Sequence, residues 1–240
     1  MRLLRKARFI WVYPLAVWLF AIASTTEASL RLGAVVMWLG EALRLWANGY
    51  VGHVKVNRAQ RGNPSAKTGR LITGGPYAFV RNPLYVGSFL IVMGFCIAMR
   101  SPVTALAALA CFTLLYSEKT KREESLIQDE WGAEYAAYRA AVPRWLPTWR
   151  RYPRRQGTWT WQGIAASKEL KTVVWVAVGL LAVYFREEIV QEHEWLASGV
   201  RVKQVALLVA AAVLILGDVV YSVIPGKRHH LTTISRSRGA

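Results

Sequence analysis

The residues best placed to do chemistry in this chain lie in one run, Gly74-Gly75-Pro76-Tyr77-Ala78-Phe79-Val80-Arg81-Asn82-Pro83-Leu84-Tyr85-Val86-Gly87. It joins a polar loop to a long apolar block. Pro76 and Pro83 each push the preceding residue toward extended backbone, so Asn82 is expected to be extended just before a helix starts. Backbone N–H and C=O groups at such a point are expected to stay open to a ligand. Tyr77 and Tyr85 offer ring faces to a cation or a purine, or serve as interfacial aromatics. Three further sets add charge. Glu41 and Arg44 sit at i and i+3 inside an apolar block and share a helix face. An ion buried in a membrane costs at least about 2.5 kcal/mol, so both must face protein or water. They read either as a buried ion pair ordering the helices or as a direct part of a site, with Arg44 the candidate catalytic member. Lys119, one turn before Glu123, and the pair Glu123-Glu124 open a polar helix. Neighbours on a helix point about 100° apart, so only one of the two glutamates is expected to aim straight into a cavity.

These groups need elements to hold them, and the composition says which. The chain has 240 residues, 54% of them hydrophobic, with 11 Trp and a net charge of +17. The apolar residues fall into six blocks, at about 9–24, 30–51, 83–99, 102–116, 172–185 and 205–224. Spanning a bilayer takes roughly 20 residues, so the blocks predict about six transmembrane helices. Only Arg100 and Ser101 separate the third block from the fourth, which predicts a short helical hairpin. The positions of the charges argue against nucleic acid as a partner. Of the 31 Lys and Arg, 25 fall on one side of a six-span topology, and Arg31, Arg100, Arg186, Arg201 and Lys203 fall on the other. The positive-inside rule then makes both termini cytoplasmic. The basic side would also attract anionic lipid headgroups.

From Glu118 to Val142, Ile127, Trp131, Tyr135, Tyr138 and Val142 recur every three to four residues. The pattern predicts an amphipathic cytoplasmic helix that lies along the interface or caps a cavity, stopped by Pro143. The loop 57–75, rich in Gly, Asn, Ser and Pro, reads as irregular backbone. Three regions follow: a core over 1–148, a basic Trp-rich linker over 149–170, and a further helical pair with a basic tail over 171–240. Cys96 and Cys111 both lie in apolar blocks, and no metal-ligand spacing occurs, so neither a disulfide framework nor a metal is expected. The histidine nearest the site, His53, reads as a cytoplasmic-edge residue. The first block resembles a signal peptide but is read as an uncleaved span.

Leu71-Ile72-Thr73-Gly74-Gly75-Pro76-Tyr77, Arg81-Asn82-Pro83-Leu84-Tyr85-Val86-Gly87, Glu123-Glu124, Gly132-Ala133-Glu134-Tyr135-Ala136-Ala137-Tyr138 and Val142-Pro143 together resemble the isoprenylcysteine carboxyl methyltransferases. They are similar, more loosely, to the phospholipid methyltransferases. The resemblance runs from about Gly40 to Pro147. It implies an all-α, polytopic membrane fold with an irregular cofactor loop. It also implies S-adenosyl-L-methionine as methyl donor at the cytoplasmic face, in a bacterial inner membrane or an endoplasmic reticulum membrane. By position, the implied donor-binding set is Arg70, Leu71, Ile72, Tyr77, Asn82, Pro83, Leu84, Tyr85 and Glu123, with Arg81 and Glu124 beside them. Glu123 would hold the donor's amino group. Lys119 aligns with an arginine that faces the acceptor carboxylate.

The sequence departs from the family pattern in three places. Asn82 stands where a histidine is usual and cannot become charged. A histidine often found near Gly69 is absent. Lys119 lacks the bidentate fork of an arginine. The expected function is methyl transfer from S-adenosylmethionine to a lipid-like or prenylated acceptor, most like isoprenylcysteine carboxyl methylation. A phospholipid N-methyltransferase, an NADPH-dependent membrane reductase and a non-enzymatic scaffold are the alternatives. The reaction asks the protein mainly to hold nucleophile and methyl in line at about 3–3.5 Å in a dry cavity.

Overall fold

In the computed structural model, residues 24–51, 71–167 and 169–190 are described. Five α-helices account for most of them: α1 (Glu27–Val51), α2 (Pro83–Ala98), α3 (Pro102–Ala141), α4 (Trp161–Ser167) and α5 (Glu169–Val190). A 3-10 turn, Gly75–Ala78, precedes α2. No strand occurs among the described residues, in line with the all-α expectation. The blocks at 9–24 and 205–224, the loop from Gly52 to Arg70 and His53 lie outside them, apart from Ser24.

Local chemistry fixes the helix starts. Ser29 N donates to Thr26 Oγ1 at 3.2 Å and Thr26 N to Ser29 Oγ at 3.0 Å, a reciprocal cap at the head of α1. Glu27 adds a negative charge to that first turn. Pro83 and Pro102 open α2 and α3, where a missing N–H costs nothing. Ser101 caps α3 by accepting from Thr104 N.

Among the described residues, no helix is long and apolar enough to cross a membrane. The reasons differ from helix to helix. α1 is 25 residues long but carries Glu27, Arg31, Glu41 and Arg44. α2 is apolar throughout but has 16 residues, about 24 Å at the α-helical rise. The blocks on either side of Arg100 and Ser101 form consecutive helices as expected, but the second arm is longer. Blocks 102–116 and 118–142 are one helix of 40 residues, because neither Gly nor Pro stands between Tyr116 and Glu118 to end the first. The break comes at Gly132, with φ of 48° and ψ of −119°, a conformation that only glycine adopts without strain.

α1 and α2 meet backbone to backbone. A Cβ on Gly40 would lie 2.6 Å from the carbonyl oxygen of Gly87, and one on Gly33 would lie 2.5 Å from that of Gly94. Both pairs are seven residues apart along their helices, the spacing of small residues that lets helices touch. α5 joins this pair through Val176 and Val183, which pack in one buried cluster with Met37 and Ala98. A second cluster holds Leu71, Ala78, Tyr135, Tyr138, Val142 and Tyr152. The apolar stripe of α3 therefore faces the loop ahead of α2.

The segment expected as a linker is tied down along its length. Thr148 N donates to Phe79 O, Tyr152 N to Ala78 O, Thr73 N and Gly74 N to Gln156 O, and Thr160 N to Gly49 O, at 2.8–3.1 Å. Trp-rich, basic composition reads as exposed chain, but backbone bonding to residues 73–79 is invisible to composition.

Candidate functional site

A cavity of about 430 Å³ opens where the loop, α1, α2, α3 and the start of α5 converge. Arg44, Leu71, Ile72, Tyr77, Arg81, Asn82, Pro83, Leu84, Tyr85, Lys119, Glu123 and Glu124 all line it. Every expected site residue within the described part of the chain is therefore brought together there, and Arg70 lies outside that part. The volume is in the range of small-molecule sites.

The two glutamates divide their roles, as their angular separation on α3 requires. Glu124 is buried and held by cations. Arg144 Nε and Nη2 donate to its two oxygens at 3.1 and 2.6 Å, and Arg81 Nε lies 3.5 Å away. Asn82 Nδ2 adds a bond at 3.3 Å and a second, also at 3.3 Å, to Arg144 O. Arg81 Nη1 donates to Arg139 O at 3.4 Å. Glu124, Arg81 and Asn82 are thus engaged with the protein itself and lock the loop onto the far end of α3. Arg144, raised in pKa chiefly by its hydrogen bond to Glu124, stays a cation. Glu123 is only partly buried, and its Oε2 accepts from Tyr85 Oη at 2.7 Å.

The expectation of open backbone at the loop is corrected. Tyr77 O accepts from Tyr138 Oη at 2.7 Å, and Ala78 O and Phe79 O accept from Tyr152 N and Thr148 N. Asn82 O caps α2 by accepting from Tyr85 N and Val86 N at 3.1 Å each. Buried backbone must find partners, and here the protein supplies them. What faces the cavity is side chain. Burial raises the pKa of the Tyr77 and Tyr138 hydroxyls and pushes that of Tyr135 up to about 12, with Glu124 adding to the rise at Tyr135. These phenols act at neutral pH as protonated donors, not as bases.

On the α1 side the expected pairing is also revised. Arg44 Nε lies 3.8 Å from Glu41 Oε2, whereas Glu169 Oε1 accepts from it at 2.5 Å. Asn48 Nδ2 donates to Glu169 Oε2 at 2.8 Å, and Arg44 also bonds Ser88 Oγ and, at 3.3 Å, Leu84 O. Neither Glu41 oxygen has a hydrogen-bond partner among the described residues. Lys119 stands apart from these ions. Its Nζ lies 4.8 Å above the Tyr85 ring and 5.7 Å above that of Tyr116.

Asn48, Ser88, Tyr116, Arg144 and Glu169 escaped the sequence reading. The one signal for Glu169 was an acidic residue heading an apolar block. Among the described residues, no group of three or more His, Cys, Asp or Glu is arranged to hold a metal.

Residues 28–134 match the model of the phospholipid methyltransferase family. The cobalt-zinc-cadmium resistance protein CzcN of Cupriavidus metallidurans is 31% identical over 61% of this chain and 61% of its own length. The nickel-cobalt-cadmium resistance protein NccN of Alcaligenes xylosoxydans xylosoxydans is 26% identical over 72% of this chain and 74% of its own. Human protein-S-isoprenylcysteine O-methyltransferase is 30% identical over 48% of this chain and 40% of its own. The chain thus covers about three fifths of the first relative and two fifths of the human one. No solved structure matches.

Proposed function

The chain is related through residues 28–134 to the phospholipid methyltransferase family, and on that premise we propose that it is a methyltransferase that uses S-adenosylmethionine to methylate a lipid-like acceptor. S-adenosylmethionine, when bound, supplies an electrophilic methyl group on a sulfonium. The observation that carries the reading is the Glu123–Tyr85 bond in the wall of the cavity, beside the Pro83–Tyr85 start of α2. The donor set suits a zwitterionic nucleoside. Glu123 is a carboxylate for an ammonium. Tyr77, Tyr85 and Trp131 are ring faces for a sulfonium or a purine. Leu84 and Ile127 exclude water from the same space.

The acceptor we propose is a prenylated or other lipid-like molecule, by analogy with the human relative's name. Apolar side chains open outward on two helices: Leu32, Val35 and Leu39 on α1, and Val103, Leu106 and Leu114 on α3, all more than half exposed. Such faces support a protein embedded in a membrane with the acceptor reached from lipid, and the distribution of Lys and Arg favours cytoplasmic termini.

Calorimetry tests the reading. Glu123→Ala should cut S-adenosylmethionine affinity at least tenfold, the order expected for one lost charge-assisted bond, with the thermal unfolding midpoint in detergent unchanged. Equal affinity in the variant would refute the assignment. Labelled methyl released by mild base would mark an ester product, and base-stable label an amine or thioether.

A further inference from the structure

Glu169 lies beyond residues 28–134 and 125 positions along the chain from the arginine it holds. It is buried, and both its oxygens are engaged, one by Arg44 and one by Asn48. Behind Arg44 stands Glu41, fully buried, with no hydrogen-bond partner among the described residues. An arginine facing a cavity is ordinarily a place for a carboxylate or phosphate. Here Glu169 already neutralises that one cation, and the Glu41 side chain stands 3.8 Å from it. An incoming anion would have to displace Glu169 and leave a buried charge unpaired, while also meeting Glu41. Lys119, by contrast, lies over two aromatic rings and forms no ion pair among the described residues.

We propose that Glu169 is a positioning residue that sets acceptor specificity: by occupying Arg44 it closes the α1 side of the cavity to anionic groups and admits neutral or apolar parts of the acceptor there. Anion recognition is left to Lys119. The word acceptor rests on the methyltransferase reading, but the charge arrangement does not.

The test uses the full chain in detergent without any methyl donor. Binding of dodecanoate and of dodecan-1-ol is followed by tryptophan fluorescence, Trp131 being part of the lining. The ratio of the two affinities cancels partitioning into detergent and any general loosening of the fold, which would move both alike. Glu169→Gln should raise the affinity for dodecanoate relative to the alcohol about tenfold, the size of a freed charge-assisted contact. Glu169→Asp, which keeps the charge, should hold the wild-type ratio. The double variant Arg44→Gln with Glu169→Gln, which also removes the cation that Glu169→Gln frees, should return the ratio to the wild-type value. An unchanged ratio in Glu169→Gln overturns the proposal, and so does a raised ratio that persists when Arg44 is replaced as well. Failure of the wild-type chain to bind S-adenosylmethionine would instead strike the methyltransferase reading and leave this comparison intact.

Discussion

On the loop side of the cavity two arginines close on one carboxylate; on the α1 side two carboxylates close on one arginine. The first cluster, Arg81 and Arg144 around Glu124, is knit further by Asn82, and both Glu124 oxygens are hydrogen-bonded. The second, Glu41 and Glu169 around Arg44, leaves Glu41 without a single hydrogen bond among the described residues. A buried charge is tolerable when paired and bonded, and costly otherwise. The difference therefore separates a cluster that holds the loop in place from one whose second acid is buried without a hydrogen bond.

The comparison breaks most visibly at Glu124. Glu124→Ala strands two arginines, and removing one partner of a buried pair typically costs about 3–5 kcal/mol. Thermal unfolding in detergent should show the loss, accompanied by faster proteolysis around residues 71–82. A fall below about 1 kcal/mol would mean that the loop is held by other contacts. Next comes Tyr138→Phe, which keeps the ring and leaves Tyr77 O without its 2.7 Å donor. About 1–2 kcal/mol should be lost, the cost of an unsatisfied buried carbonyl. The smallest effect sharpens the contrast. Glu41→Gln removes a carboxylate that has no hydrogen bond to lose, so stability should stay within about 1 kcal/mol of wild type or rise. A loss comparable to that of Glu124→Ala would show the two clusters to be equivalent and end the comparison.

The loop side was legible in the sequence because its parts are local. Pro83 opens α2 where it stands, and the Ile127, Trp131, Tyr135 and Tyr138 repeat announces which face of α3 turns inward, but Asn82 (φ −124°, ψ 56°) and Gly75 (φ 59°) are not extended as the prolines after them predict. The α1 side was half legible: Arg44 in an apolar block demanded a partner, and the nearest acid in sequence, Glu41, was the natural one. The principal partner is 125 residues away, a distance that no helical spacing spans. The same limit hid the role of residues 148–160, whose contribution is backbone hydrogen bonding to residues 49 and 73–79, independent of side-chain type. The join within α3 was missed for another reason. A change from apolar to amphipathic pattern reads as a new element, yet a helix ends only where something stops it, and Gly132 comes some fifteen residues later.

The contact between Gly40 and Gly87 has a bearing on chemistry that neither residue performs. Arg44 lies one turn beyond Gly40, and Leu84 and Ser88 flank Gly87. A methyl group added at Gly40 would collide with main-chain oxygen at 2.6 Å, an obstacle that no rotamer change removes. The separation of the two helices that carry Arg44, Leu84 and Ser88 is accordingly set by glycine hydrogens. A substitution that forces these helices apart would move Arg44 away from Leu84 and Ser88 without touching any of the three.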